Sequence, residues 1–231
     1  MDQVKSHGSE VKPSAPSNGR GEDVLGRTDW IEAAIALLAA RGVAAVKITR
    51  LADDLGVTRG SFYWHFTDRD DLLSALLEVW EERNTKALVA AVDGSGDLLS
   101  GILALLECWL SAEPFAPRLD SAMRDWGHQS TKVRRAVKRA DRKRIDAIAG
   151  VFRRAGFAAG EAEIRARVIY YTQVGYYALE EEESLTKRNT RLAAYYRVFT
   201  GQDLDDATVA AFHKRIKRHR ATAAKGRARS E

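Results

Sequence analysis

The stretch KITRLADDLGVTRGSFYWHFTDRDDLLSALLEVW, residues 47–80, constrains the fold of this chain more than any other segment. It reads as two short helices joined by a tight turn and followed by a long one. Thr49 is placed to cap a helix through Leu55, Gly56 suits a left-handed stop, and Thr58 is placed to cap a second helix. Leu51, Ala52, Leu55 and Val57 bury the joint. The second helix carries side chains that are mostly polar or aromatic rather than core-forming, which leaves Arg59, Ser61, Tyr63, Trp64 and His65 facing outward. Tyr63 and His65 stand two residues apart and cannot both enter one core, and burying Arg59 and Ser61 would strip their hydration. A helix-turn-helix needs this combination of a buried joint and an exposed reader.

The segment ITRLADDLGVTRGSFYWHFTDRDDLL resembles the signature of the TetR family of bacterial transcriptional regulators, and the preceding DWIEAAIALLAARG extends the likeness from about Thr28 to Trp80. The resemblance implies that Arg59 and Ser61 reach base edges and that Gly60 lets the backbone approach closely. It also implies that Thr49, Tyr63, His65 and Arg69 touch the DNA backbone. Arg69 stands where relatives commonly carry lysine, and Ile48 where they are often polar. Arg59 is the strongest candidate for a base contact, because a guanidinium can bond O6 and N7 of guanine together.

The chain has 231 residues, 45% of them hydrophobic and 30% charged, enough for one substantial core or two modest domains. No apolar run approaches the ~18 residues of a membrane span, and the first 27 residues lack the apolar centre of a signal peptide, so a cytoplasmic protein without a membrane partner is expected. One cysteine, Cys108, precludes an intramolecular disulfide, and its setting LALLECWL predicts burial. The five histidines show no zinc spacing, and no phosphate loop or nucleophile elbow is present. No metal, cofactor or catalytic residue is therefore expected, and an enzyme on the helical domain is the remote alternative.

The net charge is +5, yet residues 214–231 hold eight Lys and Arg against one acid, which leaves the other 213 residues at 29 basic against 31 acidic. The basicity belongs to the tail, read as a solvated and partly disordered extension in preference to a DNA-binding arm. The helix from Thr131 to Ala155 carries Lys132, Arg134, Arg135, Lys138, Arg139, Arg142, Lys143 and Arg144 beside an apolar stripe. It reads as a solvated face, partly paired with the acidic run Glu180 to Glu183, rather than as a second nucleic-acid surface.

The predicted organisation is all-α: a disordered tail over 1–27, a three-helix DNA-binding domain over 28–72, a larger helical domain over 73–213, and a basic tail over 214–231. A long helix from Thr67, with a capping box to Asp70, runs to about Val92 and connects the domains. Further helices are expected over Leu98–Ala112, Arg118–Gly127, Thr131–Ala155, Gly160–Glu183, Thr186–Thr200 and Asp205–Arg220, with breaks at Pro114, Gly156 and Gly201. Both flanks of the helix ARVIYYTQVGYYALEEEE want partners. Gly175 suits close approach of a second subunit, joined by Leu192 and Tyr196 of the next helix, and the family resemblance implies a four-helix homodimer contact there. The resemblance also implies an effector cavity, for which Trp109, Phe115, Met123, Trp126, Tyr170 and Gln173 are the candidates, suited to an apolar or aromatic molecule. The function implied is regulation of transcription on a double-stranded operator, more readily repression than activation, with release by a small effector. The alternative is a DNA-binding protein of this fold without an effector.

Overall fold

The computed structural model describes residues 25–111, 115–179 and 184–227, and the described residues contain helices and turns but no β-strand. The predicted tail up to residue 24, the acidic run at 180–183 and the break at Pro114 lie outside them. The N-terminal unit is α1 (Arg27–Arg41), α2 (Ile48–Asp54), α3 (Arg59–Phe62) and α4 (Arg69–Trp80). A π-helical turn, Glu81–Lys86, carries α4 into α5 (Ala87–Asp93) without a break. Then follow α6 (Leu98–Leu110), α7 (Pro117–Gln129), α8 (Thr131–Arg154), α9 (Ala159–Ala178), α10 (Leu185–Thr190), α11 (Leu192–Thr200) and α12 (Asp206–Arg227).

Several predicted ends differ in their chemistry. The second helix starts at Ile48 with Lys47 at the cap position, so Thr49 lies inside the first turn and caps nothing. Thr58 occupies the cap position of α3 but its hydroxyl makes no capping bond. Asp68, not Thr67, caps α4 by accepting from Asp71 N at 2.9 Å, and Thr67 instead donates through N and Oγ1 to the Asp71 carboxylate, each at 3.0 Å. A carboxylate is the stronger acceptor at a helix start and suits its positive end, which explains the substitution of roles. The predicted helix over Thr186–Thr200 is interrupted at Arg191, and Gly201, with φ of 78°, ends α11 in the left-handed conformation that a side chain would strain.

The boundary predicted near residue 72 falls inside one continuous core. Trp30, Phe62, Leu72, Leu76 and Trp80 cluster with Met123 and Trp126 of α7 and with Val133 and Val137 of α8. Met123 and Trp126 are thus packed against the N-terminal unit, and Met123 is buried there rather than lining a cavity. A second cluster joins Leu88, Ile102, Cys108, Trp109, Phe115, Ile148, Phe152, Ile169, Tyr170, Tyr196 and Phe199. Within it α6 approaches α8 at Gly101, where an added Cβ would overlap Val151. Cys108 is buried as expected, and loss of hydration pushes its thiol up to about 11. The tail boundary at 214 also falls inside a helix, since Phe212 and Ile216 of α12 are buried against Leu103 and Leu192, and Arg215 and His219 both reach Glu107.

Between the two clusters lies a buried polar network. Asp120 of α7 accepts from Arg144 Nη1 at 2.8 Å, Trp80 Nε1 at 2.9 Å and Arg124 Nε at 3.1 Å. Arg124 forks onto Asp141 at 2.8 and 3.1 Å, and the Tyr170 hydroxyl donates to Asp141 at 2.6 Å. Arg144, expected on the solvated face of its helix, is fully buried, and it also donates to Thr85 Oγ1 at 3.0 Å and Tyr170 Oη at 3.1 Å. The network meets the connecting helix at the π turn, where Asn84 and Thr85 are both buried. Asn84 Nδ2 donates to Ala116 O and its Oδ1 accepts from Ala116 N, which fixes the entry to α7.

Burial by itself would raise the Asp120 pKa, but the Arg144 and Arg124 charges outweigh it and hold the carboxyl below its usual 3.8. A depressed folded-state pKa means that this group stabilises the fold above that value and that its contribution is lost as pH falls through the folded pKa. Thermal melts from pH 7 to pH 3 are therefore expected to show a steeper acid loss for the wild type than for Asp120→Asn. Arg144→Met, which strands Asp120, is expected to cost about 3–5 kcal/mol by urea unfolding at neutral pH, with much of it recovered when Asp120 is also made apolar. A loss within ~0.5 kcal/mol for Arg144→Met would show that the network does not hold the junction.

Candidate nucleic-acid interface

The helix-turn-helix is built outward from one aromatic anchor. Phe62, fully buried, meets Trp30 of α1 edge-on at 5.3 Å and stacks on Phe66 at 5.3 Å. The pattern of exposed residues around it concealed this role in the sequence, and the only available signal was that Phe62 and Phe66 stand one helical turn apart. Leu51 and Ala52 seal the α2 side, Val57 N returns to Ala52 O at 2.9 Å, and Gly56 makes the turn at φ 68°. With its core satisfied from one side, α3 presents its other residues outward.

Those residues divide into two groups. Thr49, Arg59, Gly60, Tyr63 and Trp64 are exposed, and Trp64 shows 87% of its surface with Tyr63 beside it at 60%. Two exposed aromatic rings next to a short helix are costly in water and mark a contact surface. Gly60 is not required by the protein itself, because a Cβ there would come no closer than 3.5 Å, to Thr58 Oγ1. Ser61 is half-buried among them.

His65 and Arg69 form the second group, half-buried and engaged in holding the unit together. His65 Nε2 lies 3.0 Å from Leu25 O, tying the chain ahead of α1 to the end of the recognition segment. Arg69 donates from Nε to Val46 O at 2.6 Å and from Nη2 to Val43 O at 2.7 Å, so it fastens α4 to the loop before α2. This differs from the plain backbone contact inferred for it, and it explains why arginine serves here, since a lysine has no planar fork to reach two carbonyls. Arg27, not singled out in the sequence, lies over the Phe66 ring at 4.8 Å and adds an exposed cation to the same side.

The cavity candidates separate as well. Trp109 and Gln173 line a hollow of about 60 Å³ between α6, α9 and α11, together with Ile169, Leu192, Tyr195 and Phe199. Trp126 lines a wider groove of about 670 Å³ between the end of α1, α7 and α9. Phe115 and Tyr170 line neither and are packed in the core, Tyr170 with its hydroxyl in the Asp120 network. Leu192 and Tyr196, placed at a subunit contact by sequence reasoning, are buried within their own chain. Among the described residues no cluster of His, Cys, Asp or Glu is placed to hold a metal ion, and no helix is long and apolar enough to cross a membrane.

The division of roles is testable by stability. Arg69→Lys is expected to lower stability by about 1–3 kcal/mol through two poorly met carbonyls. Gly60→Ala is expected to leave stability equal or raised by up to ~1 kcal/mol, given the helix preference for alanine. Chemical unfolding of both variants checks this, and a destabilised Gly60→Ala would mean that the protein's own packing demands the glycine.

Residues 31–76 match the model of bacterial regulatory proteins of the tetR family. The chain is 41% identical over 55 residues to the HTH-type transcriptional regulator AcrR of Shigella flexneri, covering 24% of each chain. It is 38% identical over 61 residues to a probable acrEF/envCD operon repressor of Escherichia coli (strain K12), covering 26% of each. The aligned part thus spans about a quarter of the length of these curated relatives. A putative transcriptional regulator from Pseudomonas aeruginosa PAO1 shares the fold over 82% of this chain and 93% of its own, with a TM-score of 0.59 at 20% identity. The short, strong match falls on the helix-turn-helix built around Phe62, and the fold likeness extends through the helices behind it: over residues 31–76 this chain is similar to bacterial regulatory proteins of the tetR family.

Proposed function

We propose that this protein is a cytoplasmic, homodimeric transcriptional regulator that binds a near-palindromic operator through α2 and α3 and represses until a small effector releases it. The observation that carries the reading is the exposed surface of Arg59, Tyr63 and Trp64 on a helix-turn-helix whose own core is complete. Arg59 reads a guanine edge with Ser61 at a base edge beside it, Gly60 allows close backbone approach, and Thr49 and Tyr63 place the unit on the phosphates. His65 and Arg69 serve mainly by fixing that surface. Repression is favoured because a relative is a probable operon repressor.

Two copies are needed to engage two half-sites about 34–36 Å apart. The surface suited to pairing is a stripe on α9 and just beyond it, Ile164, Val168, Tyr171, Gly175 and Leu179, continued by Val198 of α11. The five apolar side chains of this stripe are exposed, Leu179 by 75%. Nothing lies within 4 Å of a Cβ built on Gly175, so the monomer leaves room there for a second helix. This stripe replaces Leu192 and Tyr196 as the proposed contact, with Gly175 retained. The effector acts on the helices behind the network, and a differential affinity for two arrangements of the connecting helix would shift operator binding. The small size of the hollow between α6, α9 and α11 favours, as the second reading, a DNA-binding protein without an effector.

Binding to an operator selected from random duplexes tests the reading. Arg59→Ala is expected to lose about 1–3 kcal/mol and to relax preference at one position, while Tyr63→Phe weakens specific and random DNA alike. Gly60→Ala is expected to weaken operator binding without loss of stability. Equal behaviour of all three on specific and random DNA would remove α3 as the reader. For the dimer, Gly175→Leu and Val168→Glu are expected to sediment as folded monomers at micromolar concentration and to lose operator binding. Normal dimers from both would place the contact elsewhere.

A further inference from the structure

The outer face of α8 carries a row of cations that the fold leaves almost without partners. Arg134, Arg135, Lys138, Arg139 and Arg142 are all exposed. Arg134 reaches the hydroxyl of Thr131 at 3.2 Å, and among the described residues the other four make no hydrogen bond or ion pair. The carboxylates along the same stretch are already taken: Asp141 by Arg124 and Tyr170, Glu81 by Lys143, and Asp146 by Arg153. Lys132 Nζ meets Ser74 Oγ of α4 at 3.1 Å and Lys143 meets Glu81 just beyond it, so the two helices run side by side in the same direction. Glu78, between those two contacts in the chain, is exposed, a single negative charge against five positive ones. Like charges four residues apart oppose helix formation, and the row holds three such pairs: Arg134 with Lys138, Arg135 with Arg139, and Lys138 with Arg142. A face that only needed solvation would gain nothing from this repulsion, since interspersed signs keep a helix soluble without it.

The position of the row selects its partner. The opposite face of α8, with Val133, Val137 and Ala140, is buried in the same cluster as Trp30 and Phe62, so the cations are fixed to the core of the helix-turn-helix. Ser74 lies about 8 Å along α4 from Arg69, and the row then extends for about 12 Å. That length matches about three or four phosphates of one DNA strand, spaced roughly 3.4 Å along the duplex axis. We propose that this row is a second DNA contact, which holds the phosphates of duplex flanking the operator half-site while α3 reads the site itself. The flank meets it by bending toward the protein, a deformation that the added phosphate contacts offset. Such contacts carry no sequence information; they add affinity and salt dependence. Cations without internal partners suit this role, because no ion pair has to break when phosphate arrives. The inference rests on the DNA-binding reading above and goes beyond it, since a helix-turn-helix needs no charge on α8.

The test measures binding of the full chain over a salt series to two duplexes, a selected operator with long flanks on both sides and the same operator trimmed to its half-sites. The triple variant Arg135→Gln, Lys138→Gln, Arg142→Gln is expected to flatten the slope of log K against log salt by about 2–3 on the flanked duplex, at roughly 0.9 per lost phosphate contact, and to bind it at least ~10-fold more weakly at about 100 mM salt. On the trimmed duplex it is expected to match the wild type. Arg142→Gln alone is expected to flatten the slope by about 0.9, and it carries the test by itself should the triple variant unfold. Arg135→Lys with Arg142→Lys, which keeps the charges, is expected to keep the wild-type slope. Lys86→Gln, Arg153→Gln and Arg197→Gln together remove as many charges from ion pairs elsewhere on the surface, and this control is expected to leave the slope unchanged. A wild-type slope in the folded glutamine variants, a loss of the same size on the trimmed duplex, or a loss of the same size from the control would each overturn the assignment, the first leaving the row to an acidic protein partner. A wild type that binds neither duplex removes the DNA-binding reading and this contact with it. Operator binding with an unchanged slope in the glutamine variants removes only the contact.

Discussion

The buried pairing of Asp120 with Arg144 is the constraint on which the remaining architecture depends. Two charges placed in a helical core lose their hydration, and their attraction offsets that loss only with good geometry and satisfied neighbours. Here Trp80, Thr85, Arg124 and Tyr170 supply neighbours from four different helical segments, while Arg144 Nη2 has no hydrogen-bond partner and the guanidinium lies over the Trp80 and Phe115 rings. An apolar contact tolerates sliding, whereas this network has one arrangement in which its bonds close. It ties the connecting helix, at Trp80 and Thr85, to α7, α8 and α9.

That constraint has a consequence for communication. Trp80 belongs to the core that holds Trp30 and Phe62, and its indole N–H ends on Asp120. Tyr170 belongs to the core that holds Trp109 and Phe199, and its hydroxyl meets Arg144 and Asp141. The helices behind the N-terminal unit thus meet it through a set of directional bonds as well as through the packing of Met123 and Trp126 against α1 and α4. Asp120 is thus linked through Arg144 to Tyr170 of α9 and directly to Trp80 at the end of α4. The π turn at 81–86 belongs to the same junction, since Thr85 accepts from Arg144 and Asn84 bonds Ala116 from within it.

Much of the N-terminal unit was legible in sequence because its signals are local. Gly56 between Leu55 and Val57, the polar and aromatic run from Arg59 to His65, and the apolar spacing of Leu73, Leu76 and Trp80 each act within one or two turns of chain. The all-helical character and most helix spans follow from the same short-range rules. The roles of His65 and Arg69 were not legible, because their partners, Leu25 and the carbonyls of Val43 and Val46, lie 23 to 40 residues away. Arg144 was hidden for a related reason: nine other Lys and Arg residues share its helix, and nothing local distinguishes the one that turns inward.

The sequence by itself determined the helical class, the helix-turn-helix and the residues it exposes, since periodicity, turn glycines and polarity are properties of neighbouring residues. Tertiary structure decided which of those residues stand exposed and which brace the unit, that Leu192 and Tyr196 are core while Ile164, Tyr171 and Leu179 are surface, and that the basic tail begins as a docked helix. It also decided that Asp120 and Arg144 meet. Each of these depends on what lies opposite a side chain across a helix interface, and a helical face has the same pattern whether its partner is solvent, another helix of the chain or a second subunit.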